Sequence, residues 1–206
     1  MAKPLGRLHL LTDCRPGRDP VPVVRAALSA GVPVIQVRVP DSWSDRAAYA
    51  LASVVAGMCR AAGATCLVND RLDVALAVGA DGAHVGAEDL PLAAARRVLD
   101  DRILGGTARD PATARQAARD GASYLGVGPA YRTSTKDGLP EPIGPPGIRA
   151  VADAVDIPVI AIGAVTAERI PELLAAGAHG VAVVSAVSDA ADPAAATREL
   201  LAAVGV

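Results

Sequence analysis

PVIAIGAVTAERIPELLAAGAHGVAVVSAV, residues 158–187, is the stretch whose reading decides the fold. Two apolar runs, at 158–163 and 180–185, bracket a helical segment over about residues 166–176. The runs are continuously apolar rather than alternating, as expected of parallel strands covered on both faces. One strand–helix–strand unit alone would fit any α/β protein. What makes this one decisive is that it holds the seventh and eighth strands of a longer series.

Outward from it, the same rhythm covers the chain. Apolar runs recur at LHLLT (8–12), PVIQVR (33–38), ATCLV (64–68), GAHV (82–85), ILGG (103–106) and YLGV (124–127). Helical segments are predicted over about 21–30, 44–62, 72–78, from 91, over 111–120 and over 193–203. Ser44 or Asp45 is the N-cap of the long one, Pro91 is a good first helical residue, and Gly31 and Gly63 close helices. Eight strand-plus-helix units predict an α/β protein whose residues 1–206 form one (β/α)8 TIM barrel domain. A doubly wound sheet is the competitor, but it usually has fewer units and a Gly-rich nucleotide turn, and no GxGxxG follows the first strand here.

Composition agrees. The chain has 206 residues, 51% hydrophobic but only 2% aromatic, with no Phe, so the core must be Ala, Val, Leu and Ile. A net charge of -2 gives no reason to expect nucleic acid or an anionic membrane as partner. No apolar run reaches the ~18 residues of a membrane span. The start, MAKPLGRLHLLTD, lacks the apolar core of a secretory signal. Cys14, Cys59 and Cys66 show no CxxC spacing and read as reduced thiols, which places the protein in the cytoplasm. The Ala-rich helix faces leave monomer and homodimer both open.

In such a barrel the C-terminal strand ends form one rim, where active sites are built. Polar residues concentrate there: Thr12 and Asp13, Gln36 and Arg38, Asn69 and Asp70, Glu88 and Asp89, Thr107, and Ser185. After the sixth strand the chain is irregular for roughly twenty residues, rich in Gly and Pro. The head of this loop carries Thr133, Ser134, Thr135 and Lys136, a set suited to a phosphorylated ligand, and its tail, 137–147, reads as the hinge of a lid. Gln36 and Arg38 point the same way; an inward Arg is explained by an anion or by an ion pair with Asp70 or Asp89. Those two aspartates follow neighbouring strands and suit a shared Mg2+, or else pair with Arg71 and cap the helix at Pro91. The small residues of IGAV and VVSA let backbone approach a phosphate, or simply allow close packing. His9, His84 and His179 are isolated and read as core or rim residues, and no GxSxG elbow accompanies Ser134 or Ser185.

Taken together, VIQVR, VND, DGAHVGAEDLP, YLGVGPAYRTSTK, VIAIGAV and GVAVVSAV resemble the thiamine phosphate synthase family across nearly the whole chain. The resemblance implies an Mg2+-dependent barrel enzyme that joins a hydroxymethylpyrimidine diphosphate to a hydroxyethylthiazole phosphate and releases pyrophosphate. It implies that Gln36, Val37, Arg38, Val39, Pro40, Asn69, Thr107 and Lys136 bind the pyrimidine diphosphate. By the same match Thr133, Ser134, Thr135, Gly163, Ala164, Val184 and Ser185 bind the thiazole phosphate. The resemblance also implies that Asp70 and Asp89 hold the metal and that Arg38, Lys136 and Thr107 carry the chemistry. Thr107 stands where the family usually has a serine.

Three departures stand out. Pro40 replaces a family lysine, removing a charge-assisted contact of ~1.5–3 kcal/mol unless Arg109 or Arg132 substitutes. Ala164 replaces a glycine, which a backbone contact survives if φ is negative. Ala87 replaces a glutamine before the metal aspartate. Two alternatives are a thiazole tautomerase, which relies on a histidine after the fifth strand where this chain has Gly106-Thr107-Ala108-Arg109, and a non-catalytic binder of thiamine phosphates.

Overall fold

The computed structural model describes residues 5–133, 138 and 140–206. Eight parallel strands, β1 (Leu8–Leu11), β2 (Val34–Val37), β3 (Thr65–Asn69), β4 (Gly82–Val85), β5 (Ile103–Ala108), β6 (Tyr124–Val127), β7 (Val159–Ile162) and β8 (Gly180–Val183), pair in sequence order. β8 closes the sheet on β1, with His9 opposite Ala182. The expected (β/α)8 barrel is the observed one.

Alternation along each strand separates two apolar layers. Leu11, Val34, Leu67, Ile103, Tyr124, Ile160 and Ala182 meet inside the barrel. Leu8, Leu10, Ile35, Val37, Cys66 and Val68 face outward and pack with the helices, which present Ala27, Ala48, Ala52, Ala95 and Ala114. Those methyl faces let helices lie close to the strands, which is how a chain without Phe fills its core.

The helices are α1 (Pro20–Ser29), α2 (Asp45–Ala62), α3 (Leu72–Ala77), α4 (Leu92–Leu99), α5 (Pro111–Arg119), α6 (Gly144–Ala152), α7 (Ile170–Ala175), α8 (Ser185–Ser188) and α9 (Pro193–Val204). Ser44 caps α2 by accepting from the Ala47 N–H, and Gly63 ends it in the left-handed region at φ 71°.

Three expectations need correction. The helix expected over 166–176 is a 3-10 turn, Ala167–Arg169, followed by α7: Pro171 has no N–H to donate and sits in the first turn of the α-helix instead. The short α8 directly after β8 was not anticipated. And residues 144–147 are not hinge: they are the first turn of α6, with Pro145 and Pro146 where helical N–H groups lack partners anyway. The irregular connection after β6 therefore ends at 143, and the rest of the expected hinge includes positions outside the described residues.

Candidate active site

A cavity of about 210 Å³ opens at the C-terminal ends of the strands. From β2 to β5 it receives Gln36, Arg38, Asn69, Asp70, Thr107 and, from the loop after β4, Asp89. From the connections after β6, β7 and β8 it receives Thr133, Gly163, Ala164, Val184 and Ser185. Val37 and Val39 face the helix layer instead, as the alternation with Gln36 and Arg38 requires, and Pro40 lies off the cavity wall. Ser134, Thr135 and Lys136 lie outside the described residues.

Gln36 is buried, while Arg38, one residue past β2, is half-buried. Among the described residues the Arg38 guanidinium makes no ion pair, so the structural pairing with Asp70 or Asp89 is not formed. It is also the one cationic side chain among the described residues that line the cavity. Neither expected substitute for the family lysine reaches it. Arg109 donates through Nε to the Gly128 carbonyl (3.2 Å) and through Nη2 to the Glu141 carbonyl (2.6 Å). Arg132 pairs with Glu141 at 3.2 Å, with both side chains exposed. The two arginines brace the connection after β6.

The carboxylate pair is built by two tight turns. Asp70 takes the left-handed conformation, φ 64°, which Asp tolerates better than most residues, and its N–H donates to the His84 carbonyl at 2.8 Å. Asn69 Nδ2 donates to the Asp70 carboxylate. Arg71 is drawn away to Asp45 (2.9 Å) and the Trp43 carbonyl (2.6 Å). Asp89 Oδ2 accepts the Gly86 N–H at 2.8 Å, and α4 starts without a side-chain cap, so Asp89 is not a helix cap. Among the described residues no three His, Cys, Asp or Glu side chains converge on a metal position. Two carboxylates on one wall nonetheless fit Mg2+, which keeps several waters and takes substrate phosphate oxygens for the rest.

Across the cavity, Gly163 has φ 109°, and a Cβ there would lie 2.8 Å from Pro129 Cα, so only glycine allows the two connections to touch. Ala164 follows at φ 47°. The negative φ that would make alanine harmless here is therefore not the one it adopts. Its carbonyl accepts from Arg169 Nη1 at 2.6 Å, and the Arg169 guanidinium lies 4.3 Å from the Tyr131 ring centroid, tying the β6 and β7 connections together.

The histidines sit as core and rim residues, as expected, but they are not all remote from the site. His179 lies at the far end of the barrel against the Leu5 carbonyl (3.3 Å), whereas His9 and His84 both line the cavity. His84 contacts the Tyr124 hydroxyl through Nδ1 (3.1 Å) and Thr107 Oγ1 through Nε2 (3.0 Å), and Gln36 Nε2 donates to the same Tyr124 hydroxyl (3.3 Å). His9 contacts the Gly6 carbonyl through Nε2 (3.0 Å) and meets Tyr124 edge to face at 5.4 Å. Burial pushes the His9 pKa down to about 3, so its ring is neutral. The missed signal was alternation: His84 in GAHV shares the inward face with the glycines Gly105 of ILGG and Gly126 of YLGV.

A family model described as thiamine monophosphate synthase matches residues 8–187. The chain is 62% identical to thiamine-phosphate synthase of Salinispora arenicola over 203 residues, 97% of this chain and 98% of the relative. It is 48% identical to thiamine-phosphate synthase of Haloquadratum walsbyi over 191 residues, covering 91% and 85%. Among solved structures, thiamine phosphate pyrophosphorylase from Pyrococcus furiosus superposes with a TM-score of 0.88 at 36% identity, covering 96% of this chain and 95% of that one.

Proposed function

The chain belongs to the thiamine monophosphate synthase family and acts as a thiamine-phosphate synthase, a transferase of phosphorylated small molecules, and from that premise we propose how its barrel mouth performs the reaction. The substrates are 4-amino-2-methyl-5-(diphosphooxymethyl)pyrimidine and 4-methyl-5-(2-phosphoethyl)thiazole. The observation that supports the reading is one cavity whose polar groups come from two sets of connections. Gln36, Arg38, Asn69, Asp70, Asp89 and Thr107 stand on one side, and Thr133, Gly163, Ala164, Val184 and Ser185 on the other.

The substitution is dissociative. The methylene C–O bond breaks and the diphosphate leaves with the electron pair, while the electron-rich aminopyrimidine stabilises the benzylic-type cation. The thiazole nitrogen lone pair then forms the new C–N bond, giving thiamine monophosphate and pyrophosphate. No general base is required for that nitrogen. The enzyme's task is to stabilise charge on the leaving group, orient the two rings and exclude water. Arg38 and, on the family resemblance, Lys136 face the diphosphate. Leu11, Ile160 and Ala182 form the apolar part of the floor. Asp70 and Asp89 would hold Mg2+, which supplies positive charge to the departing diphosphate oxygens.

The tautomerase alternative is disfavoured because the position it needs is occupied by Gly106-Thr107-Ala108-Arg109, with Arg109 engaged on two loop carbonyls. Among the described residues no helix is long and apolar enough to cross a membrane, and the three cysteines are buried thiols outside any disulfide.

Pyrophosphate release from the two substrates with and without Mg2+ tests the reading. Release that requires both substrates and the metal, and that falls sharply in Asp70→Asn and Asp89→Asn, is expected. Saturable binding of both substrates by the folded protein with no pyrophosphate formed would overturn it in favour of the non-catalytic binder.

A further inference from the structure

A hydrogen-bonded chain crosses the cavity floor from β2 through β6 and β4 to β5. Its links are Gln36 Nε2 to the Tyr124 hydroxyl (3.3 Å), that hydroxyl to His84 Nδ1 (3.1 Å), and His84 Nε2 to Thr107 Oγ1 (3.0 Å). The donor inventory gives it a direction. An amide nitrogen only donates, so the Tyr124 oxygen accepts from Gln36. Tyr124 is 1% exposed, and its own hydrogen needs an acceptor. Among the described residues that acceptor is His84 Nδ1. The imidazole proton is then on Nε2 and is donated to Thr107 Oγ1. An oxygen that accepts along this line turns its own hydrogen elsewhere, and the Thr107 side chain borders the cavity.

The space for the imidazole is reserved by its neighbours. A Cβ on Gly105 would lie 2.3 Å from His84 Nδ1 and 2.5 Å from the Tyr124 oxygen. One on Gly126 would lie 2.9 Å from His84 Cε1. Two adjacent strands thus omit their side chains where the ring lies. Burial also drives the Tyr124 phenol pKa upward, so the group stays a donor.

We propose that His84, set in its Nε2–H tautomer by Tyr124, is a positioning residue that aims the Thr107 hydroxyl hydrogen at the diphosphate bound in the cavity. The part that concerns the diphosphate rests on the synthase reading; the tautomer does not. A hydroxyl otherwise free to rotate is held as a donor before the leaving-group oxygen gains charge, so no reorientation is needed during bond cleavage.

The test combines a spectroscopic and a kinetic measurement on the full chain. In protein labelled with 15N-histidine, the His84 signal is assigned by its loss in His84→Gln. At neutral pH it is expected in the Nε2–H pattern, and Tyr124→Phe is expected to convert it to a tautomer mixture. Tyr124→Phe and Thr107→Val are each expected to lower kcat roughly tenfold. The double variant should be no slower than the worse single one, and Tyr124→Phe should have no further effect in His84→Gln. An Nδ1–H or doubly protonated ring, a tautomer indifferent to Tyr124→Phe, or multiplicative kinetic losses would overturn the proposal. Because the tautomer is read without substrate, a chain that shows the Nε2–H form yet never releases pyrophosphate contradicts the assigned reaction and leaves the role of Tyr124 in setting the ring supported.

Discussion

Thr12 holds both backbone groups of Arg38: its hydroxyl donates to the Arg38 carbonyl at 2.7 Å and accepts the Arg38 N–H at 2.8 Å. Arg38 lies just past the end of β2 and Thr12 just past β1, so a side chain continues the ladder where the strands stop. Thr12→Val keeps the shape of this buried residue and removes both bonds. A loss of about 1–3 kcal/mol in stability is expected. kcat/KM for the pyrimidine diphosphate should fall about tenfold, because a small displacement of Arg38 is felt at the diphosphate. Thr12→Ser should restore both. Denaturant titration with steady-state kinetics checks the pair.

The position of the missing lysine gives a gain-of-binding prediction. With Arg109 and Arg132 engaged elsewhere, Arg38 is without a described cationic partner on the cavity wall. Pro40→Lys should lower the KM for the pyrimidine diphosphate by roughly tenfold, the worth of one charge-assisted contact. The KM for the thiazole phosphate should stay unchanged. Equal KM values in Pro40→Lys and the natural chain would mean that another group already supplies that charge.

Ala164 at φ 47° carries a conformational cost of about 1–2 kcal/mol, against about 0.5–1 kcal/mol for the greater freedom of an unfolded glycine. Ala164→Gly is therefore expected to stabilise the fold by about 1 kcal/mol or less. Ala164→Val, β-branched in the left-handed region, should destabilise it and weaken thiazole phosphate binding. Unfolding curves and the thiazole phosphate KM report the two effects.

His9 makes stability depend on pH. Its folded pKa, about 3, is below the unfolded value of 6.5, so between those values the unfolded state binds more protons. The His9 contribution is complete above pH 6.5 and is lost as pH falls toward 3. Between pH 7 and 5 this amounts to about 2 kcal/mol. His9→Gln, which can still donate to the Gly6 carbonyl, should remove that slope while leaving stability at pH 7 little changed. Free energies of unfolding across this range decide it.

The barrel was legible because eight apolar runs, with helical segments after seven of them, leave few alternatives, and the rim because polar residues follow those runs. Turn positions were also readable, since Gly163, Asp70 and Asp89 all lie in connections that follow strands. What escaped was cross-strand chemistry. His84 is isolated in sequence, and its partners Tyr124 and Thr107 are 40 and 23 residues away. Only strand register, which places Gly105 opposite both His84 and Tyr124, brings them together. The start of α6 was hidden because a proline pair reads as loop unless it is known to lie in the first turn. Pro40 drew attention to nearby arginines, but their direction depends on loop carbonyls that no local pattern reveals.

The two glycines beneath the His84 ring have a consequence for how this protein tolerates change. The outer layer is a mosaic of small aliphatic residues, where a methyl more or less costs packing energy but neighbouring side chains relax in part. The floor has no such slack, because what it requires at Gly105 and Gly126 is the absence of atoms. Replacing conspicuous side chains with alanine would pass over both positions, whereas adding a single carbon at either would dislodge the ring. In this barrel the points least open to mutation carry no side chain at all.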